Sequence, residues 1–230
     1  MRAQLMKFKS VREWKNYCFN THRPYTNNAY FRDWVKEKII CIFDYSRLRK
    51  EEIRNVKTGM ENAIALIGLH LRVKYPKYKF YNLSLAVEGG NIASKVISKM
   101  VTAERRKSHN RYASIFIVDK PIKSPDAVLK YGEALTYVPE GVAIFAFDPL
   151  KRYSPEFLRN RAMHETFHLL GLNAHHEKTR VKGYKQQVSC NMKYNAPSGR
   201  LCKKCKDALK SFWKGIEYAT KEQFIKNGTL

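Results

Sequence analysis

The residues best equipped for chemistry are His164 and His168, four apart, with the carboxylate Glu165 beside the first. On a helix, a spacing of four puts two side chains on one face, so both imidazoles can share a single metal ion. Glu165 then lies next to that ion as a base. The run continues Leu169-Leu170-Gly171-Leu172-Asn173-Ala174-His175-His176, a glycine turn followed quickly by two more histidines. One of these supplies a third ligand and leaves a fourth position for water, the arrangement of a catalytic site. The competing interpretation is a solvated polar face of a helix, which the extra histidines disfavour.

A second group lies downstream. Of five cysteines, Cys190, Cys202 and Cys205 cluster late in the chain, and Cys18 and Cys41 stand alone. Five unevenly placed cysteines do not make a disulfide framework, and the late cluster suits metal binding better. A redox pair at Cys202 and Cys205 is the alternative, weakened by the third cysteine and the nearby histidines. Met192 can be read as ordinary packing, and Tyr194 as structural.

Taken together, the H-E-x-x-H run, the later Cys190-Asn191-Met192 and Cys202-Lys203-Lys204-Cys205 resemble the archaemetzincin family of metzincin zinc peptidases. The specific part of the resemblance is 164–205; in the order of strands and helices it extends over about 39–210. It implies two zinc ions per chain: a catalytic one on three histidines and a structural one on four ligands. It also implies hydrolysis of peptide bonds by metal-activated water, with Glu165 as general base. Met192 would lie in a turn beneath the first metal. Tyr194, two residues on, resembles the switch tyrosine of the related astacins and so suggests an oxyanion role. The family pattern puts its third histidine at Ala174, followed by a cysteine, whereas this chain has His175 and His176. A one-residue insertion reconciles them. His175 then joins His164 and His168, and His176 joins Cys190, Cys202 and Cys205 as a Cys3His site. The opposite assignment of the adjacent pair stays open.

These groups need a scaffold. Ser154-Pro155-Glu156 is a helix start, with a capping serine, a first-turn proline and an acid at the positive end; Gly171 is the expected stop. Ile39 to Phe43, Ser114 to Val118 and Val142 to Phe147 are apolar runs suited to buried strands, with weaker strands over Tyr78 to Leu85 and Glu133 to Val138. The Glu133 to Val138 strand is expected to pair with an extended substrate, as the metzincin likeness implies. Ile53, Val56, Met60, Ile64, Ile67 and Leu71 recur on one helical face, and Ile92 to Val101 reads as another helix. The expected fold is α/β: a metzincin-like domain with a mixed, mostly parallel twisted sheet, an antiparallel edge strand and an active-site helix. Residues 1–38, basic and aromatic, read as an extension wrapped on a peptidase domain at 39–230. The C-terminal part of that domain, about 172–230, would be a small zinc-stapled subdomain.

Bulk properties set the outer limits. A hydrophobic content of 44% excludes a disordered chain. No apolar stretch is long enough to cross a bilayer and the start lacks a secretory signal, so a cytoplasmic protein is expected. The 44 Lys plus Arg against 20 Asp plus Glu give a net charge of +24, which attracts polyanions. Besides a peptide substrate, two readings of the charge stand: nonspecific binding of nucleic acid or another polyanion, and a solvated lysine-rich surface whose polyanion attraction is incidental. The dispersed lysines and the lack of a nucleic-acid-binding motif favour the second. The rival function is a basic nucleic-acid- or partner-binding protein with structural zinc and little catalysis. Glu165 argues against it, because a closed structural site needs no adjacent carboxylate.

Overall fold

A computed structural model of the chain describes residues 6–9, 37–75, 87–88, 91–108, 113–123, 128–131, 134–137, 141–172, 175, 179–181, 189–193 and 198–226. Its centre is a five-stranded sheet of β2 (Ile39–Tyr45), β3 (Arg72–Lys74), β6 (Ala113–Val118), β9 (Ala134–Tyr137) and β10 (Val142–Ala146), in the order β3-β2-β6-β10-β9. The first four in that order run parallel; β9 closes the edge antiparallel to β10. This is the mixed, mostly parallel sheet with an antiparallel edge expected above.

Continuous apolar sequence makes these strands because both of their faces are covered. Alternation along β2 sends Ile40 and Ile42 to one side and Ile39, Cys41 and Phe43 to the other. The first side packs on α1 (Lys50–Ile67) and α3 (Pro155–Leu169), through Val56, Met60, Ala162 and Phe167. The second packs on Ile92 and on Met100 of α2 (Ser94–Ser108). The result is a three-layer α/β/α core.

A small four-stranded sheet, β4 (Val87–Glu88), β5 (Asn91–Ala93), β7 (Ile122–Lys123) and β8 (Val128–Leu129), adjoins the second side. Near the N-terminus β1 (Met6–Phe8) pairs in parallel with β11 (Thr179–Val181). The last helix is α4 (Lys203–Lys226).

Three expectations change. Ile92 does not open a helix: its N–H donates to Pro121 O at 2.8 Å as part of β5, and α2 begins at Ser94. Local periodicity yields there to sheet pairing. Leu71 lies beyond α1, which stops at Gly68 in the left-handed conformation with φ of 72°; a glycine meets no Cβ penalty there. The segment after α1 contains an unforeseen short strand, β3. The expected strand over 78–85, like His176 and Tyr194, lies outside the described residues.

Two close contacts set the position of α3. At Gly59 an added Cβ would stand 2.3 Å from Arg159 O and 2.9 Å from the Cβ of Ala162, so α1 and α3 touch backbone to backbone. At the other end Gly171, with φ of 109°, lies under Phe212 of α4. Trp213 Nε1 donates to Leu170 O at 3.0 Å, so α4 satisfies a carbonyl at the C-terminal end of α3.

Candidate metal centres

Helix α3 starts as its sequence dictates. Ser154 Oγ accepts from Phe157 N at 3.1 Å, Pro155 occupies the first turn, and Glu156 faces the positive end of the dipole. From there the helix dives into the core, and its second half from Ala162 to Leu169 is buried all round. His164, Glu165 and His168 are therefore buried polar groups, which need partners.

Their partners define a site. His164 Nδ1 donates to Asn191 O and His168 Nδ1 to Leu172 O, each at 2.6 Å. Both carbonyls accept only, so each ring carries its proton at Nδ1 and turns a lone pair outward at Nε2. The two Nε2 atoms lie 3.1 Å apart, and His175 Nε2 completes a triangle at 3.0 Å from His164 and 3.1 Å from His168. Burial, then the neighbouring His168, pushes the His164 pKa down to about 2; burial likewise pushes His168 to about 4. Both rings stay neutral, and no proton stands between their facing lone pairs. Such a pair repels unless a cation sits against it. Tetrahedral nitrogen ligands ~2.0–2.1 Å from zinc lie about 3.3 Å from one another, so the residues fit a metal ion.

Glu165 follows His164 on α3 and is buried with it. Its Oε2 accepts from Thr136 Oγ1 of the edge strand β9 at 3.0 Å, and its Oε1 stands 4.0 Å from Arg161 Nη1. Burial pushes its pKa up to about 7, against the opposing pull of Arg161 and Thr136. A carboxyl poised near neutrality is suited to take and return a proton.

The second group is built at the start of α4 and in the turn before it. Cys190, Cys202 and Cys205 are all buried, with their sulfur atoms within 4.8 Å of one another. Cys202 N donates to Cys190 Sγ at 3.3 Å. None of them is in a disulfide. Hydrogen bonds from the neighbouring thiols, reinforced by burial, hold Cys205 well above the usual thiol range. A dication among them would reverse that, since coordination deprotonates thiols outright. Cys41 is separate: burial in the sheet pushes it up to about 11.

Asn191 joins the two groups. Its N–H donates to Arg200 O at 2.6 Å, and its Nδ2 donates to Asn160 O at 2.9 Å and Ser198 O at 2.6 Å. Its carbonyl holds His164, while its chain neighbours are Cys190 and Met192. Met192 is buried in a turn closed by Lys193 N donating to Cys190 O at 3.1 Å. His164, His168 and His175 thus converge, and the three late cysteines converge separately. Sequence reasoning did not single out Thr136, Arg161 or Asn191. Arg161 carried a signal, as a cation four residues before Glu165; Thr136 and Asn191 carried none.

No protein-family model matches the sequence, and no curated protein matches it. A solved structure described as a zinc-dependent peptidase from Methanocorpusculum labreanum (strain Z) is similar in fold. The TM-score is 0.50, with 19% identity, and the match covers 74% of this chain and 99% of that one. At that identity the likeness speaks to the α/β architecture. No helix among the described residues is long and apolar enough to cross a membrane.

Proposed function

We propose that the chain is a zinc-dependent peptidase of archaemetzincin type. The observation that supports this most is the convergence of three imidazole Nε2 atoms, with the buried carboxyl of Glu165 next to His164 on the same helix. The description of the structural neighbour as a zinc-dependent peptidase agrees with it. His164, His168 and His175 would hold the catalytic ion. Cys190, Cys202 and Cys205, with His176 as fourth ligand, would hold a structural one. On this assignment 39–230 is the peptidase unit and 1–38 an extension, and the thiol-rich site suits a reducing, cytoplasmic setting.

His164, His168 and His175 would hold a zinc ion, which when bound would supply Lewis-acid polarisation of the scissile carbonyl and lower the pKa of a water. The rest is done by the chain's own groups. Glu165 takes the water's proton on a carboxylate oxygen and delivers it to the departing amine. The Thr136 hydroxyl fixes Oε2, so the carboxylate turns one way only. Asn191 O and Leu172 O lock the tautomer and tilt of His164 and His168. Edge strand β9, which carries Thr136, is the last strand of its sheet among the described residues, and its outer edge would offer backbone groups to an extended peptide. Met192 supports the floor of the site, and Tyr194 is assigned to the oxyanion.

A second reading is favoured by charge. Lys203, Lys210 and Lys214 are exposed along one side of α4 in a chain of net charge +24. Phosphate contact by such a stripe would be salt-sensitive and indifferent to sequence; it could bring the peptidase to nucleic-acid-bound substrates. The deciding experiment is cleavage of a peptide library by zinc-loaded protein, with and without chelator, beside metal analysis. Chelator-sensitive cleavage and two zinc equivalents are expected. Failure of the fully loaded protein to cut any peptide refutes the peptidase, and uptake that stops at one equivalent refutes the second site.

A further inference from the structure

We propose that Arg161 is a specificity residue whose guanidinium binds a carboxylate of the peptide substrate next to the scissile bond. This assignment rests on the peptidase function proposed above.

Arg161 stands on α3 one turn before Glu165, on the same side of the helix as His164 and Glu165. Its side chain is only 13% exposed, and its Cζ lies over the Phe157 ring at 5.9 Å. Arginine at such depth is ordinarily matched by carboxylates or carbonyls through its five donors. Here the match is incomplete. The Glu165 oxygen nearest to it is 4.0 Å away, beyond hydrogen-bond reach, and the other Glu165 oxygen is occupied by Thr136. Arg161 Nε is buried without a hydrogen-bond partner.

If Arg161 served only to neutralise Glu165, a closer, forked pair would satisfy both groups at no cost to the helix. The observed separation keeps Glu165 Oε1 available for proton transfer and leaves the planar fork pre-positioned, held from below by the Phe157 ring. A carboxylate is its geometric complement, accepting two parallel hydrogen bonds. Charge points the same way: with a dication on the histidines, one arginine and one carboxylate leave the site net positive. The residual exposure of Arg161 is what an incoming substrate group would cover. Two parts of a peptide carry this chemistry, an acidic side chain and a free C-terminus.

The test compares peptides that differ only by Asp or Glu against Asn or Gln beside the cleaved bond, each with a free and an amidated C-terminus. They are cleaved by zinc-loaded full-length protein and by Arg161→Gln and Arg161→Lys. The wild-type chain should favour the carboxylate-bearing member by about tenfold to a hundredfold in kcat/KM. Arg161→Gln should bring that ratio close to one, mainly through KM, and Arg161→Lys, which keeps charge without the fork, should fall between. Any loss common to both peptides, from disturbing Glu165, cancels in the ratio. Preference that disappears on amidation identifies the C-terminal carboxylate; preference that survives identifies a side chain.

A wild-type ratio near one, or a ratio unchanged in Arg161→Gln, overturns the proposal. The wild-type ratio needs no variant and so stands even if Arg161→Gln fails to fold. Should no peptide be cut, the peptidase function falls, and the Arg161 assignment is then decided by binding. Hydrolysis-resistant analogues of the same peptides, titrated onto the zinc-loaded chain by fluorescence anisotropy, should bind more tightly with the carboxylate present. Equal binding of both analogues overturns it.

Discussion

Asn191→Ala should damage the histidine centre without touching a ligand. The substitution removes two donor contacts, to Asn160 O at 2.9 Å and Ser198 O at 2.6 Å. Asn160 O keeps its place as a helical acceptor within α3, so each lost bond costs ~0.5–1.5 kcal/mol. The Asn191 Oδ1, buried without a partner, disappears as well and returns part of that. A net loss of about 1–2 kcal/mol follows. The backbone carbonyl that holds His164 Nδ1 survives the substitution, but the side chain that ties this turn to α3 does not. Loosening an outer hydrogen bond to a metal-bound histidine typically costs about 10–100-fold in affinity. The assay is chemical denaturation together with competitive chelator titration, using cobalt to separate the centres, because thiolate-bound cobalt absorbs where histidine-bound cobalt does not. A variant that loses stability but keeps wild-type affinity at the histidine centre would show that Asn191 does not position His164, and the proposed link would fail.

Other perturbations follow from the same geometry. Glu165→Gln should abolish peptide hydrolysis with zinc content near that of the wild type; loss of the metal would instead make Glu165 a ligand. His175→Ala should empty the histidine centre and spare the cysteine one, whereas His176→Ala should lower the melting temperature through the cysteine centre; the reverse result exchanges the two assignments. Zinc binding at pH 6 should release about one proton more from the wild type than from Glu165→Gln, and no extra at pH 8.5. The sign follows from the raised Glu165 pKa of about 7, which keeps the carboxyl protonated at pH 6 until a dication drives the proton off, while His164 and His168 are already neutral. Equal release in calorimetry across buffers at pH 6 would contradict it. Gly59→Ala gains ~1 kcal/mol of helix propensity, but the new Cβ meets Arg159 O at 2.3 Å. A net destabilisation of about 2 kcal/mol is expected in denaturant melts, and a neutral result would mean that α1 and α3 separate freely.

Strands β2, β6 and β10 were legible because a parallel strand covered on both faces must be apolar at nearly every position, and Ile39 to Phe43 or Ser114 to Val118 leaves little else to be. The stripe on α1 was legible for a related reason, since Ile53, Val56, Met60, Ile64 and Ile67 all join the core cluster on one side of the sheet. Strand β3 was not. It is three residues long and only Val73 is buried, so Arg72 and Lys74 make it look like a loop. Its existence depends on the free edge of β2, a partner more than thirty residues earlier in the chain. The same holds for Ile92, whose strand is set by Pro121 and Ile122 across the small sheet.

The candidate site divides along a different line, between what side chains announce and what backbone supplies. Histidines at a spacing of four, and cysteines at a spacing of three after a gap, signal metal chemistry because few other tasks use those side chains at those intervals. The groups that orient them are carbonyl oxygens of Asn191 and Leu172, and every residue in the chain has a carbonyl oxygen. Only the path of the chain decides which one meets an imidazole. Arg161 shows the limit from the other side, since Arg161 and Glu165 in sequence look like an ordinary surface ion pair at i,i+4, worth a few tenths of a kcal/mol. Burial alters what the pair means. Once α3 is sunk in the core, a cation 4.0 Å from its carboxylate with an unmatched donor is no longer a surface ornament, because leaving it so costs more than the pair returns. Among the described residues no acceptor meets Arg161 Nε, and the substrate carboxylate proposed for it is the acceptor that would answer the fork, the charge and the position of Glu165 together.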